Sequence, residues 1–163
     1  HGISGDIGLL SIDIDGNDYW IWNAIQIISP RIVICEYNSI FGYKEAVSIP
    51  YHESFNRTKT HYSNLYFGAS LKALCLLAEQ KGYSFVGSNC AGSNAFFVRK
   101  DIAKGLLPIS LETGYVKSRA RESRDKNYQL TYVSGDNRIK LITSLKVVSV
   151  DTGIEKLIDK LNV

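Results

Sequence analysis

The stretch LLSIDIDGNDYWIWNAIQIISPRIVICEYN, from Leu9 to Asn38, sets Asp13 and Asp15 at the end of one apolar run and Glu36 and Asn38 at the end of another. Side chains two apart on an extended chain share a face, so each pair projects its oxygens together. Such groups can accept a proton as a general base, orient a hydroxyl, or ligate a hard cation. Asp13, Asp15 and Glu36 are the candidate catalytic carboxylates, and His61 is a further candidate base near neutral pH. His52 is a second histidine of the same polar stretch.

The two apolar runs must be strands for these oxygens to meet. Leu9 to Ile14 is nearly continuous in apolar residues, the pattern of a strand covered on both faces. Gly16 breaks it, Asn17 or Asp18 caps a helix carrying Ile21, Ala24, Ile25 and Ile28 on one stripe, and Pro30 stops that helix. Arg31 to Tyr37 then reads as a strand parallel to the first, joined by a helical crossover. In parallel α/β sheets ligands collect beyond the carboxyl ends of the strands, where Asp13, Asp15, Gly16, Glu36 and Asn38 would gather.

Residues 39–67 are polar and aromatic without clear periodicity, as in a lid or binding loop. Tyr62, Tyr66 and Phe67 there would cover a substrate ring or pack under the loop. A helix follows, with Ser70 at its start, Leu71, Leu74, Cys75 and Ala78 on one stripe and Gly82 ending it. Tyr83 to Asn89 and Asn94 to Arg99 flank the turn-rich CAGS and predict an antiparallel hairpin, with Asn89 and Asn94 bracketing the turn. Beyond it, 137–145 reads as a helix, and Ile154, Leu157, Ile158 and Leu161 form one face of a closing helix. The basic stretch Arg119, Arg121, Arg124 and Lys126 is interrupted by Glu122 and Asp125, the pattern of a solvated face.

The 163 residues are 45% hydrophobic and 21% charged, enough for one globular core. A formal charge of +3 is too weak to predict a nucleic-acid partner. Cys35, Cys75 and Cys90 are odd in number and far apart, which predicts reduced thiols and a cytoplasmic setting. No apolar run reaches the ~18–20 residues of a membrane span. The first residue is His1 and methionine is absent, which suits a piece of a longer chain.

Strand, helix, parallel strand, long loop, helix and antiparallel hairpin is the order of the second half of a class I S-adenosylmethionine methyltransferase sheet. LLSIDIDGNDYWIW resembles the FkbM-type methyltransferase pattern, in which an I-D-x-[ED]-G turn follows the fourth strand, and NAFFVRKD resembles that family's last strand. The likeness covers roughly Gly8 to Asp101. It implies an α/β fold: an incomplete Rossmann-like sheet, mostly parallel, with an antiparallel terminal hairpin. Residues 1–110 would be the carboxyl-terminal half of that domain and 111–163 an α-rich tail packed on it. The activity implied is methyl transfer from S-adenosylmethionine to a hydroxyl of a small or sugar-like substrate. Asp13, Gly16 and Asn17 would lie on the cofactor side, and Asn38, Tyr66, Phe67 and Asn94 on the substrate side. The front strands, with their glycine turn, are not in this sequence. The edge of the first strand should then be open, or covered by a second copy in a homodimer or by a strand at 146–150.

DIDGNDY also resembles the D-A-D-K-D-N-Y turn of metal-dependent caffeoyl-CoA-type O-methyltransferases, which implies a divalent metal on Asp13, Glu36 and Asn38. Glu36-Tyr37-Asn38 replaces that family's adjacent Asp-Asn pair. Other readings of DIDGND remain. A haloacid dehalogenase-like phosphatase would use Asp13 as nucleophile, but its D-x-D-G-T has threonine where this chain has Asn17. A calcium loop needs glycine at position six, where Asp18 stands. A glycosyltransferase D-x-D motif, a non-catalytic Rossmann-like interaction domain, and plain turn chemistry complete the set.

Overall fold

The computed structural model describes residues 2–119 and 122–163, so Arg121 of the basic stretch lies outside the described residues. Strand β1 (Gly5–Ile12), helix α1 (Asp18–Ala24) and strand β2 (Ile28–Glu36) form a strand–helix–strand unit. β1 and β2 are parallel, in register from Gly5 opposite Ile28 to Ile12 opposite Cys35. The helix is shorter than its apolar stripe suggests. The chain turns extended at Ile25 (φ −69°, ψ 119°), and Ile28 opens β2 instead of closing α1. Pro30 therefore lies inside β2 and stops nothing. Pairing of β2 with its other neighbour begins only at Ile32, so the missing amide of Pro30 interrupts no ladder on that side.

The segment 39–67 is more ordered than a lid. It holds a 3₁₀ turn at Ser39–Phe41, strand β3 (Val47–Ser48) and the single-turn helix α2 (Arg57–Thr60). Helix α3 (Leu71–Gln80) follows, capped by Ser70 Oγ, which accepts from the Ala73 amide. Strands β4 (Tyr83–Ser88) and β5 (Asn94–Arg99) make the predicted hairpin. β5 runs antiparallel to both β2 and β4, and the sheet order is β1-β2-β5-β4. The protein is thus a mixed α/β fold around a mixed four-stranded sheet. β1, β2 and β4 point the same way and β5 alone is reversed between β2 and β4, so of the three neighbouring pairs only β1–β2 is parallel, and the terminal hairpin is antiparallel as expected.

Both longer helices pack on one face of this sheet. Trp22 of α1 and Leu71, Leu74 and Leu77 of α3 close over Ile12, Val33, Cys35, Ala95 and Phe97. The opposite face differs from the expectation of a strand covered twice: Leu9 is 51% exposed, Ile32 is 38% exposed, and Ile34 and Phe96 are half-buried. The outer edge of β1 has no strand partner among the described residues.

After the hairpin come two single-turn helices, α4 (Leu111–Gly114) and α5 (Asn137–Lys140), and strands β6 (Lys146–Ser149) and β7 (Glu155–Leu157). β6 pairs with β3 and β7, making a second, antiparallel sheet, and does not cover β1. The closing helix predicted from Ile154, Leu157, Ile158 and Leu161 is not formed. Gly153 takes a left-handed φ of 73° and reverses the chain, so Ser149 and Ile154 pair across a tight turn and Ile154 is left 65% exposed. The helix predicted at 137–145 is likewise one turn only. The expected α-rich tail is therefore mainly turns and strands. Its Ile142, Val147 and Ile158 share a second core with Ile40, Phe41, Val47, Ile49 and Leu65. The three cysteines are unbridged. Among the described residues no helix is long and apolar enough to cross a membrane.

Candidate functional site

Asp13 follows β1 directly and Glu36 ends β2, one residue beyond the Ile12–Cys35 pair. The strand period and this register put both on the sheet face that lacks helices. Asp15 joins them from the turn: one carboxylate oxygen from each of Asp13, Asp15 and Glu36 lies within 4.8 Å of the other two. Asp13 and Asp15 are exposed, whereas Glu36 is buried. Three oxygens at this spacing suit a hard divalent cation or a shared proton.

The turn that presents them is held by Asp18, a residue sequence reasoning took only as a helix cap. Its buried carboxylate accepts from the amides of Ile14 and Gly16, each at 2.9 Å. Burial outweighs these bonds and raises the Asp18 carboxyl above its ordinary value. Asp15 sits at φ 55°, a left-handed conformation that short polar side chains tolerate best among non-glycine residues. Arg57 Nη1 donates to Asp15 Oδ1 at 2.5 Å, and its guanidinium lies over the Phe67 ring, 4.1 Å from the centroid. Arg57, from the stretch without periodicity, carried no signal in the sequence.

The other predicted residues separate. Gly16 does not offer bare backbone to a cofactor. A Cβ there would lie 2.2 Å from Phe55 Cδ1, so the glycine makes room for that ring. Asn17 is buried, its amide donating to the His52 carbonyl at 2.8 Å. Asn38 is a strut: Nδ2 donates to the carbonyls of Leu65 and Phe67, and Oδ1 accepts from the Ile40 amide. It is thus committed to the loop, and Asp15 takes the place the metal expectation gave to Asn38. Phe67 is fully buried under Arg57. The Tyr66 hydroxyl donates to the Lys146 carbonyl at 2.6 Å, and burial pushes its pKa up to about 12. Asn94 stands directly opposite Glu36 in the ladder and remains half-exposed at the site. His61 is half-buried, with Nδ1 2.7 Å from Ser63 Oγ, and burial lowers its pKa.

A polar cleft of about 390 Å³ adjoins the trio, lined by Asp15, Arg57, Asn64, Glu122 and Arg124, with Phe55 as its apolar wall. An aromatic cleft of about 430 Å³ between Tyr51, Phe55 and Tyr66 shares that ring. Compared with known proteins, the chain matches no family model, and no curated protein or solved structure is similar to it at a significant level.

Proposed function

We propose that this chain forms the second half of a class I, FkbM-like methyltransferase domain that moves a methyl group from S-adenosylmethionine to a substrate hydroxyl. One observation carries the reading: Asp13, Asp15 and Glu36 converge beyond the carboxyl ends of two adjacent parallel strands, in a sheet whose next strand, β5, is reversed. The open edge of β1 and the apolar face bearing Leu9 and Ile32 are where the preceding half of such a domain would pair and pack. The described residues do not form a cofactor cradle, since Phe55 fills the space over Gly16 and Asn17 is tied to His52. Their own work is on the substrate side. A carboxylate of the trio accepts the hydroxyl proton as the oxygen attacks, and the guanidinium of Arg57 holds Asp15 for that task. A divalent cation fits the same three oxygens and, when bound, would lower the pKa of a ligated hydroxyl.

The test is transfer of a labelled methyl group by the natural polypeptide that contains this chain, alongside Asp13→Asn and Glu36→Gln. Each variant should lose about 10²-fold or more in turnover while melting like the parent. S-adenosylmethionine failing to bind the parent, or transfer unchanged in both variants, would remove the proposal.

A further inference from the structure

We propose that the aromatic cleft between Tyr51, Phe55 and Tyr66 is a binding site for an aromatic carboxylate, a flat ring system bearing one negative charge. This binding is independent of the methyl transfer put forward above, for it uses none of the acidic trio and needs no cofactor.

Three rings line the cleft, and the surrounding chain braces them. The Tyr66 hydroxyl is tied to the Lys146 carbonyl at 2.6 Å, and the Phe55 ring packs beside Tyr66 with centroids 6.4 Å apart and planes tilted by 52°. Tyr51 stands edge-on to Trp20, whose indole Nε1 donates to the Ile49 carbonyl at 2.9 Å, and Pro50 stiffens the chain before it. Such surface favours another flat ring, which gains from stacked or edge-to-face contact beyond plain apolar burial. A volume of about 430 Å³ falls in the range of small-molecule sites.

The polar lining decides the charge of the ligand. The Ser54 amide donates to His52 Nδ1 at 3.2 Å, so that nitrogen carries no proton and Nε2 is the donor. The Lys59 amide donates to Asn56 Oδ1 at 2.9 Å, which orients the Asn56 side chain and leaves its NH₂ group to donate. Lys59 adds an ammonium, which among the described residues forms no ion pair. The hydroxyls of Ser54 and Thr60 serve either way. Among the described residues no carboxylate lines the cleft; Glu53, next to His52 in sequence, is exposed and outside the lining. The cleft therefore offers donors and one unneutralised positive charge beside aromatic walls. A carboxylate on a flat ring meets both, with charge-assisted hydrogen bonds at one end and ring contact at the other. An amine would bring donors to donors beside a like charge, and a bare hydrocarbon would strip water from the donors and replace none of its hydrogen bonds. One ammonium balances a single charge, which favours a carboxylate over a phosphate dianion.

The experiment titrates the ¹⁵N-labelled chain with 2-naphthoate and indole-3-acetate, with cyclohexanecarboxylate, benzylamine and adenosine monophosphate as counter-probes. At least one aromatic acid should shift the Asn56 side-chain amide and the backbone amides of Ser54, Lys59 and Thr60, saturating with a Kd of about 0.1–1 mM. Cyclohexanecarboxylate keeps the charge without the aromatic ring, benzylamine inverts the charge, and adenosine monophosphate carries a phosphate; each should bind about fivefold more weakly or not at all. Lys59→Met keeps the aliphatic stem and removes the charge, and should weaken binding of the acid about fivefold or more. Tyr51→Leu removes one ring and should weaken it about threefold or more. Both side chains are exposed, so the fold should stand in each variant. The proposal is overturned if neither acid saturates by about 10 mM, if any counter-probe binds as tightly as the better acid, or if either variant binds like the parent. S-adenosylmethionine does not enter this assay, so binding of the acid stands or falls apart from the proposed reaction.

Discussion

The Phe55 ring occupies the space that a side chain on Gly16 would need, and this makes Gly16→Ala a sharp probe of how the turn is built. The new methyl carbon would lie 2.2 and 2.5 Å from Phe55 Cδ1 and Cε1, whereas carbons pack at about 3.5–4.0 Å. The ring must withdraw by more than an ångström. It is not a loose end, because the Phe55 amide donates to the His52 carbonyl at 3.0 Å and the ring packs beside Tyr66. Overpacking of this kind costs about 1–3 kcal/mol. The backbone opposes that sign: Gly16 is not left-handed, so replacing it with alanine stiffens the unfolded chain and stabilises by about 0.4–1 kcal/mol. The clash is larger, and Gly16→Ala should destabilise by about 1–2 kcal/mol net. With Phe55→Ala already present the clash is gone, and the same substitution should become neutral or stabilising. The coupling between the two sites is then about 1–3 kcal/mol. Urea midpoints at constant slope for the four proteins of the cycle measure it. If Gly16→Ala costs the same with and without the Phe55 ring, to within about 0.5 kcal/mol, the contact argument is wrong.

Asp15→Asn keeps a residue that accepts the left-handed backbone and loses only an exposed ion pair, so stability should change by less than about 1 kcal/mol. Manganese binding by the trio, followed by calorimetry, should weaken about tenfold or more in the same variant; equal affinity would take Asp15 out of the site. Asp18→Ala strands the amides of Ile14 and Gly16, offset in part by relief of a buried carboxylate, and should cost about 2–4 kcal/mol in chemical denaturation. His61 is held neutral by burial, so its folded pKa lies below the ordinary 6.5. The unfolded chain therefore binds the extra proton first: stability is full above about pH 6.5 and falls as pH drops below it. His61→Gln should flatten that part of the melting profile, and an unchanged slope between the two proteins would show that the imidazole is not its source.

The sheet was legible wherever a local rule governed it. Apolar runs marked β1 and β2, Ser70 marked the start of α3, and the CAGS turn marked the hairpin, where Asn89 Oδ1 indeed accepts from the amides of Ser93 and Asn94. The acidic trio was legible because a strand period of two and a parallel pairing suffice to bring Asp13 and Glu36 together. Failures came where partners are distant. Ile154, Leu157, Ile158 and Leu161 have helical spacing, yet pairing of β6 with β3 and the Gly153 turn recruit the segment into a hairpin. Asn38 sits at a strand end like a ligand, but the three hydrogen bonds of its side chain go to Leu65, Phe67 and Ile40, the first two of them far along the chain. Asn64, Glu122 and Arg57 showed nothing, since their meaning arises only when 57–64 and 122–124 meet.

The second sheet also bears on the order in which the chain acquires its shape. Val47 pairs with Ser149, about a hundred residues away, whereas β1 and β2 pair across little more than twenty. Closing the longer loop costs about 1 kcal/mol more in chain entropy, and contacts of such long range form slowly. The strand ends bearing Asp13 and Glu36 thus align early, in the local β1–α1–β2 unit. The loop that buttresses them comes late, for it is clamped by Ile49 and Gly68 beside β3, and Gly68 in turn donates to Gly16. On a ribosome releasing residues in order, the carboxylates would be in place while the wall of Phe55, Arg57 and Asn64 still awaited the emergence of β6.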